Sequence, residues 1–229
     1  MAGDLIADRL MKYRYEDCAV IGLSDGAVMV GAQIAARLHC VLNMLLTDSI
    51  KLQGEHDTLA AIDHNGDMTY NDMYSAGELE EITSENFNYI EQQKVQKLFD
   101  MNRLLGQGGV ISPDLLRGRH VIVASDGLTN GLSMQAAAAY LKPIKIQRLI
   151  MVAPFASVTA VDQMHILADE IVCLNVLEDI ISIDHYYDDN RLPEHVKIIQ
   201  VIEDIVLHWK CTATLEEVAE SRFVHNGYV

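Results

Sequence analysis

Short apolar runs alternate along this chain with longer segments whose apolar residues recur at helical spacing, and that alternation restricts the fold more than any other feature. Cys18–Leu23 (CAVIGL) reads as a buried strand, Ala27–Leu38 as the helix that follows it, and Val41–Leu46 as a second strand. Further along come His120–Ala124 (strand), Gly131–Leu141 (helix), Arg148–Ala153 (strand), Val158–Ala168 (helix) and Glu170–Leu174 (strand). Strands of about five residues separated by helices of about twelve are βαβ units. The expected class is therefore α/β, with a mainly parallel twisted sheet and helices on both faces.

The middle of the chain departs from this rhythm. Asn65-Gly66 between two short runs predicts a type I′ hairpin. Ser84–Leu105 predicts one long amphipathic helix capped by Ser84, with Phe87, Ile90, Val95, Leu98 and Leu105 turned inward. A Gly-rich loop, GQGGVISPDLLRGRH, begins at Gly106. Past Leu174 the alternation ends. DIISIDHYYDDN is an acidic connector whose Tyr186-Tyr187 either stacks on a base or packs at the sheet edge. Pro193–Trp209 is a helix with Val196, Ile199, Ile202, Ile205 and Val206 on one face, and the remainder is a terminal helix and tail. The expected organisation is an α/β domain over residues 1–176, with a hood of hairpin and long helix at about 54–118, and a helical extension over 177–229.

Composition narrows the partners. With 33 acidic against 17 basic residues the formal charge is −16, which argues against non-specific nucleic-acid binding, since that depends on Lys and Arg neutralising phosphates. Cys18, Cys40, Cys173 and Cys211 form no C-x-x-C pair and lie in or beside apolar runs, so buried free thiols are expected. The histidines lack zinc-site spacing. Met29, Met44, Met134, Met151 and Met164 fit core filling, and His165 a surface or core position. The first residues predict a short amphipathic helix with Leu5, Ile6 and Leu10 on one side. They are acidic where a signal peptide is basic, and no apolar run reaches the roughly 18 residues of a membrane span. A cytoplasmic protein without a membrane partner is expected.

In open parallel sheets, ligands sit at the carboxyl ends of strands near a topological switch point. Three loops leave strand ends here: Ser24-Asp25-Gly26, Thr47-Asp48-Ser49, and Ser125 to Ser133. In the third, Asp126-Gly127 ends the strand, Gly131 permits close backbone approach, and a helix starts at about Leu132. A Gly-containing turn feeding a helix N-terminus presents backbone N–H groups and a favourable dipole to an anion. Thr129, Asn130 and Ser133 add polar donors, and Asp126 can accept hydrogen bonds from sugar hydroxyls. The residues alone leave an equal alternative, a plain turn capped by Asp126 and Ser133.

The segment Leu116–Leu141, LRGRHVIVASDGLTNGLSMQAAAAYL, resembles the ribose-5-phosphate loop of the type I phosphoribosyltransferases. AVIGLSDGAVMVGAQIAARL is similar to that family's pyrophosphate-loop strand and helix, and the likeness runs in order over roughly residues 15–176. The resemblance implies phosphoribosyl pyrophosphate with Mg²⁺ as substrate and transfer of its ribose phosphate to a nitrogen base. It implies a ligand set of Ser125, Asp126, Gly127, Thr129, Asn130, Gly131, Leu132 and Ser133, with Ser24, Asp25 and Gly26 opposite, and Asp126 as the catalytic carboxylate at the ribose. Homodimers are common in the family.

The chain also departs from the family pattern. Ser125 replaces the first of two adjacent acids, and Asn130-Gly131-Leu132-Ser133 stands for Thr-Gly-x-Thr. Ser24-Asp25-Gly26-Ala27 stands for Pro-Arg-Gly-Gly, and Asp48-Ser49-Ile50 for Arg-Lys-Ile. Two cation positions have become acids. At roughly 4 Å, like charges repel by about 1 kcal/mol in water and about 4 kcal/mol at an effective dielectric of 20. Mg²⁺ held by Asp25 and Asp48, or Lys51, Lys97 and Arg103 folding over the site, would offset this. The expectation is a degenerate member that binds a phosphorylated ribose or nucleotide in a regulatory or assembly role without efficient transfer. The alternatives are an active Mg²⁺-dependent phosphoribosyltransferase and an unrelated α/β protein sharing the pattern.

Overall fold

Strands β1 (Cys18–Gly22), β2 (Val41–Met44), β6 (His120–Ala124), β7 (Arg148–Ser157) and β8 (Glu170–Leu177) form one all-parallel sheet in the order β2-β1-β6-β7-β8. A second, antiparallel sheet takes β3 (Thr47–Lys51), β4 (Thr58–Asp63) and β5 (Met68–Tyr70). The structure is a computed structural model that describes residues 2–54, 57–105, 111–178, 180, 182–188 and 191–208, without the side chains of Leu105, Val206 and His208.

The central strands are apolar on both sides because both faces are covered. Val20, Ile122, Ile150, Val152 and Val172 point to one face, where α1 (Ala2–Leu10), α2 (Asp25–Leu38) and α7 (His195–His208) pack. Ala19, Ile21, Val121, Val123, Met151 and Ala153 point to the other, under α5 (Leu132–Leu141) and α6 (Val158–Leu167). Met44, Met134, Met151 and Met164 are buried in these layers, as expected of core filling. Cys18 and Cys40 are buried free thiols and Cys173 is half-buried; Cys211 lies outside the described residues. Burial pushes the Cys18 thiol up to about 11 and that of Cys40 to about 12.

Several expectations are corrected. Thr47-Asp48-Ser49 is not a loop but the start of β3, the edge of the second sheet. The hairpin is not type I′: Gly66 has φ 91 while Asn65 keeps a negative φ. The Gly66 N–H donates to the Asp63 carbonyl and the Asp63 carboxylate accepts from the N–H groups of Asn65 and Asp67, so His64, Asn65 and Gly66 form a type I turn closed by a left-handed glycine. The long helix is two, α3 (Ala76–Glu85) and α4 (Phe87–Leu105). They break at Asn86, whose side chain and N–H both donate to the Ile82 carbonyl. The cap is Ser75, in a capping box with Glu78; Ser84 lies inside α3.

Ile90 is buried, but Phe87 and Val95 are 61% and 65% exposed, and the Leu105 side chain is outside the description. Leu5 likewise faces solvent while Ile6 and Leu10 are buried. In α7 the buried row is Ile198, Ile199, Val201, Ile202 and Ile205, with Val196 half exposed. Strand β7 does not stop at Ala153. It continues through Pro154 because the residues beyond it pair with β8 and with Leu128. Most of the Gly-rich loop, residues 106–110, and the chain from 209 onward are outside the described residues.

Candidate functional site

β1 and β6 are neighbours, yet α2 leaves β1 over one face of the sheet and α5 leaves β6 over the other. The chain therefore opens a crevice at the carboxyl ends of these two strands, where an open α/β sheet takes its ligands. Two of the three loops singled out in the sequence meet there.

Ser24 caps α2, its Oγ accepting from the Ala27 N–H at 3.0 Å, and the same hydroxyl donates to Asp126 Oδ1 at 3.1 Å across the crevice. Gly26 lies against the other oxygen: a Cβ there would sit 2.1 Å from Asp126 Oδ2. The glycine is required by the approach of the carboxylate. Asp126 is half-buried. Burial pushes its carboxyl above the usual range, against its own backbone N–H and Ser24, and Asp184 and Asp25 push the same way as burial.

The loop after β6 is held from behind. The buried Ser125 hydroxyl donates to the Gly127 carbonyl at 2.9 Å and accepts from the Gly127 N–H at 3.3 Å, so it serves its own turn. Gly127 is pressed on Phe155, whose ring a Cβ would meet at 2.5 Å. The Leu128 N–H donates to the Phe155 carbonyl, the Ser157 N–H donates back to Leu128, and Ser157 Oγ donates to the Thr129 carbonyl at 2.6 Å. Thr129 and Asn130 are exposed and Ser133 half-buried. Gly131 takes φ 71, and the Leu132 N–H donates to Asn130 Oδ1 at 3.2 Å.

The first intrahelical bond of α5 runs from the Gln135 N–H to the Gly131 carbonyl, and Gly131 supplies no side-chain cap. The N–H groups of Ser133 and Met134 thus stand at the helix end without intrahelical acceptors, with the positive end of the dipole behind them. Leu132 itself packs with Ala61 and Ala136, and Gln135 donates to Asp72, so the second sheet rests on this helix beside the crevice.

The acids named for Mg²⁺ lie on different elements. Asp25 Oδ1 is 2.9 Å from Nδ1 of His195, at the start of α7. Asp48, on β3, pairs with Lys97 of α4 at 2.9 Å and accepts from the Ser49 N–H. Among the described residues no three His, Cys, Asp or Glu side chains gather as a metal set.

Residues after β8 also reach the crevice, and sequence reasoning did not place them there. The Tyr187 hydroxyl donates to the Asp126 carbonyl at 2.6 Å, and burial, then Asp126, push its phenol up. Tyr186 and Tyr187 lie against the Phe155 ring at centroid distances of 4.8 and 5.7 Å. The tandem tyrosines were the one visible signal; nothing in their spacing pointed to Asp126. His165 is exposed on α6, away from this constellation.

A family model, the phosphoribosyl transferase domain, matches residues 2–191. This chain belongs to that family. Two Mycobacterium tuberculosis proteins, from strains CDC 1551 and H37Rv and provisionally named phosphoribosyl transferases, are each 24% identical to it over 76% of its length. The match spans only 38% of the length of those relatives. The Thermus thermophilus protein TT1426 superposes with a TM-score of 0.65 at 25% identity, covering 91% of this chain and 95% of that one. The phosphoribosyl transferase domain here has a five-stranded parallel sheet, and the loops after β1 and β6 meet at its carboxyl end. Its acids at Asp25 and Asp48 are engaged by His195 and Lys97. No described helix is long and apolar enough to cross a membrane.

Proposed function

We propose that this phosphoribosyl transferase domain binds a 5-phosphorylated ribose, free or within a nucleotide, and serves in regulation or assembly rather than in efficient transfer. The observation that carries the reading is the pairing, in one crevice, of an α5 N-terminus without a side-chain cap from Gly131 with the Asp126 carboxylate, facing a loop that carries the half-buried Asp25. The phosphate would take the N–H groups of Ser133 and Met134 with the side chains of Thr129, Asn130 and Ser133. Asp126, steadied by Ser24, would accept from the ribose hydroxyls. Ser125 and Gly127 shape the turn, while Leu132 anchors the helix start under the second sheet.

Transfer requires a pyrophosphate to leave with its charge neutralised. Asp25 instead brings a charge of the same sign as the leaving group's. Mg²⁺ fits these residues poorly: Asp25 and Asp48 are paired with His195 and Lys97 on separate elements. We propose in addition that residues 177–229 are an extension of the α/β domain of 1–176, and that the protein is cytoplasmic.

Isothermal titration of the full chain with ribose-5-phosphate, AMP and phosphoribosyl pyrophosphate, each with and without Mg²⁺, tests the reading. Binding of the monophosphates without release of pyrophosphate on adding nucleobases is expected. Absence of binding to all three, or pyrophosphate release with a nucleobase, overturns it.

A further inference from the structure

The segment after β8 makes hydrogen bonds to both loops of the crevice. Tyr187 holds the main chain at Asp126, and His195 holds the side chain of Asp25, a residue 170 positions earlier. These are the two acids on which the proposed ligand's sugar and its far end would bear.

The His195 ring is well enclosed, its side chain 11% exposed against 32% for Asp25. Its Nδ1 is committed to Asp25, and its Nε2 is buried with no hydrogen-bond partner. The contact fixes where the Asp25 carboxylate sits: an aspartate at the first position of a helix is otherwise free to swing into solvent.

Asp126 separates two sides of the crevice. On one lies the start of α5; on the other lie Ser24 and Gly26, in contact with its two carboxylate oxygens, with Asp25 between them in sequence. A ribose whose hydroxyls meet Asp126 and whose 5-phosphate meets α5 directs its C1 substituent toward Asp25. A neutral or cationic substituent is accepted there. A pyrophosphate is repelled.

We infer that His195 is the positioning residue for this selectivity: by holding Asp25 at the mouth of the loop after β1, it makes the site prefer singly phosphorylated riboses over pyrophosphorylated ones. The inference rests on the proposed function and names the ligand class of that same site.

The test is the ratio of dissociation constants for phosphoribosyl pyrophosphate and ribose-5-phosphate, measured by calorimetry without Mg²⁺ on the full chain. Asp25→Asn is expected to tighten binding of the pyrophosphate compound at least tenfold relative to ribose-5-phosphate. His195→Ala, which frees Asp25, is expected to shift the ratio several-fold the same way. His195→Asn, whose amide N–H occupies the place of Nδ1, is expected to restore the wild-type ratio. A merely structural role for His195 would weaken both ligands together and would not be rescued selectively. Bound ribose-5-phosphate with a ratio unmoved by Asp25→Asn and His195→Ala overturns the inference while leaving the proposed function intact. So does a His195→Asn variant that tracks His195→Ala. Failure of the wild type to bind either compound overturns both, and variants that lose both ligands while the wild type binds overturn the inference alone.

Discussion

Asp126 is the residue at which opposing demands meet. The Ser24 hydroxyl and the close approach of Gly26 fix its carboxylate, yet burial and two nearby acids resist its charge. Asp126→Asn removes that charge and keeps an oxygen for the Ser24 hydroxyl. A charge-assisted hydrogen bond is worth about 1.5–3 kcal/mol, so affinity for ribose-5-phosphate is expected to fall about ten- to a hundred-fold by calorimetry. Stability moves the other way. A folded-state carboxyl raised above its ordinary 3.8 holds its proton more tightly than the unfolded chain does, so ionisation opposes folding. Below 3.8 the wild type and the variant should therefore match. The wild type should lose ground as pH rises through its higher folded value, as read by denaturant titration at successive pH values.

At the scale of elements, α7 packs into the core of the parallel sheet. Ile198 and Ile205 are fully buried among residues of α1, α2 and the sheet, while Val196 is 50% exposed on the same helix. Ile198→Ala is expected to cost about 2–4 kcal/mol in urea unfolding, and Val196→Ala less than about 0.5 kcal/mol. Equal losses would contradict this division of the helix faces. The strands of the parallel sheet were legible because burial on both faces leaves an unbroken apolar run, and CAVIGL and HVIVA show it. The hood was less legible. The break at Asn86 depends on a side chain folding back on Ile82, which no periodicity records, and Ser84 only imitates a cap. The crevice was legible as far as its two loops. Its third contributor was not, because His195 meets Asp25 through tertiary packing of α7 and by no spacing along the chain.

Across the whole molecule, charge ties the sheet's two ends differently. At the end remote from the crevice, Glu170 at the start of β8 accepts from Lys12 at 2.8 Å and Tyr13 at 2.6 Å, with Arg148 of β7 at 3.9 Å. Burial pushes the Glu170 carboxyl up, but the hydrogen bonds from Lys12 and Tyr13 outweigh it and hold it below its ordinary 4.5. The sign is opposite to that of Asp126. The stabilisation is present above 4.5 and is lost as pH falls through the lower folded value. Glu170→Gln should therefore reduce stability above pH 4.5 and flatten the acid limb below it in thermal melts taken across that range. The strand order β2-β1-β6-β7-β8 also has a temporal consequence. The bond from Ser24 to Asp126 joins positions 102 residues apart, and the partner strand of β1 on that side begins only at His120. During synthesis, β1 leaves the ribosome with one apolar edge bare and must wait through the entire antiparallel insertion before β6 arrives to cover it. The joint between the two crevice loops thus cannot form until β6 has emerged, and over that interval the unpaired edge of β1 is open to mispairing on the nascent chain.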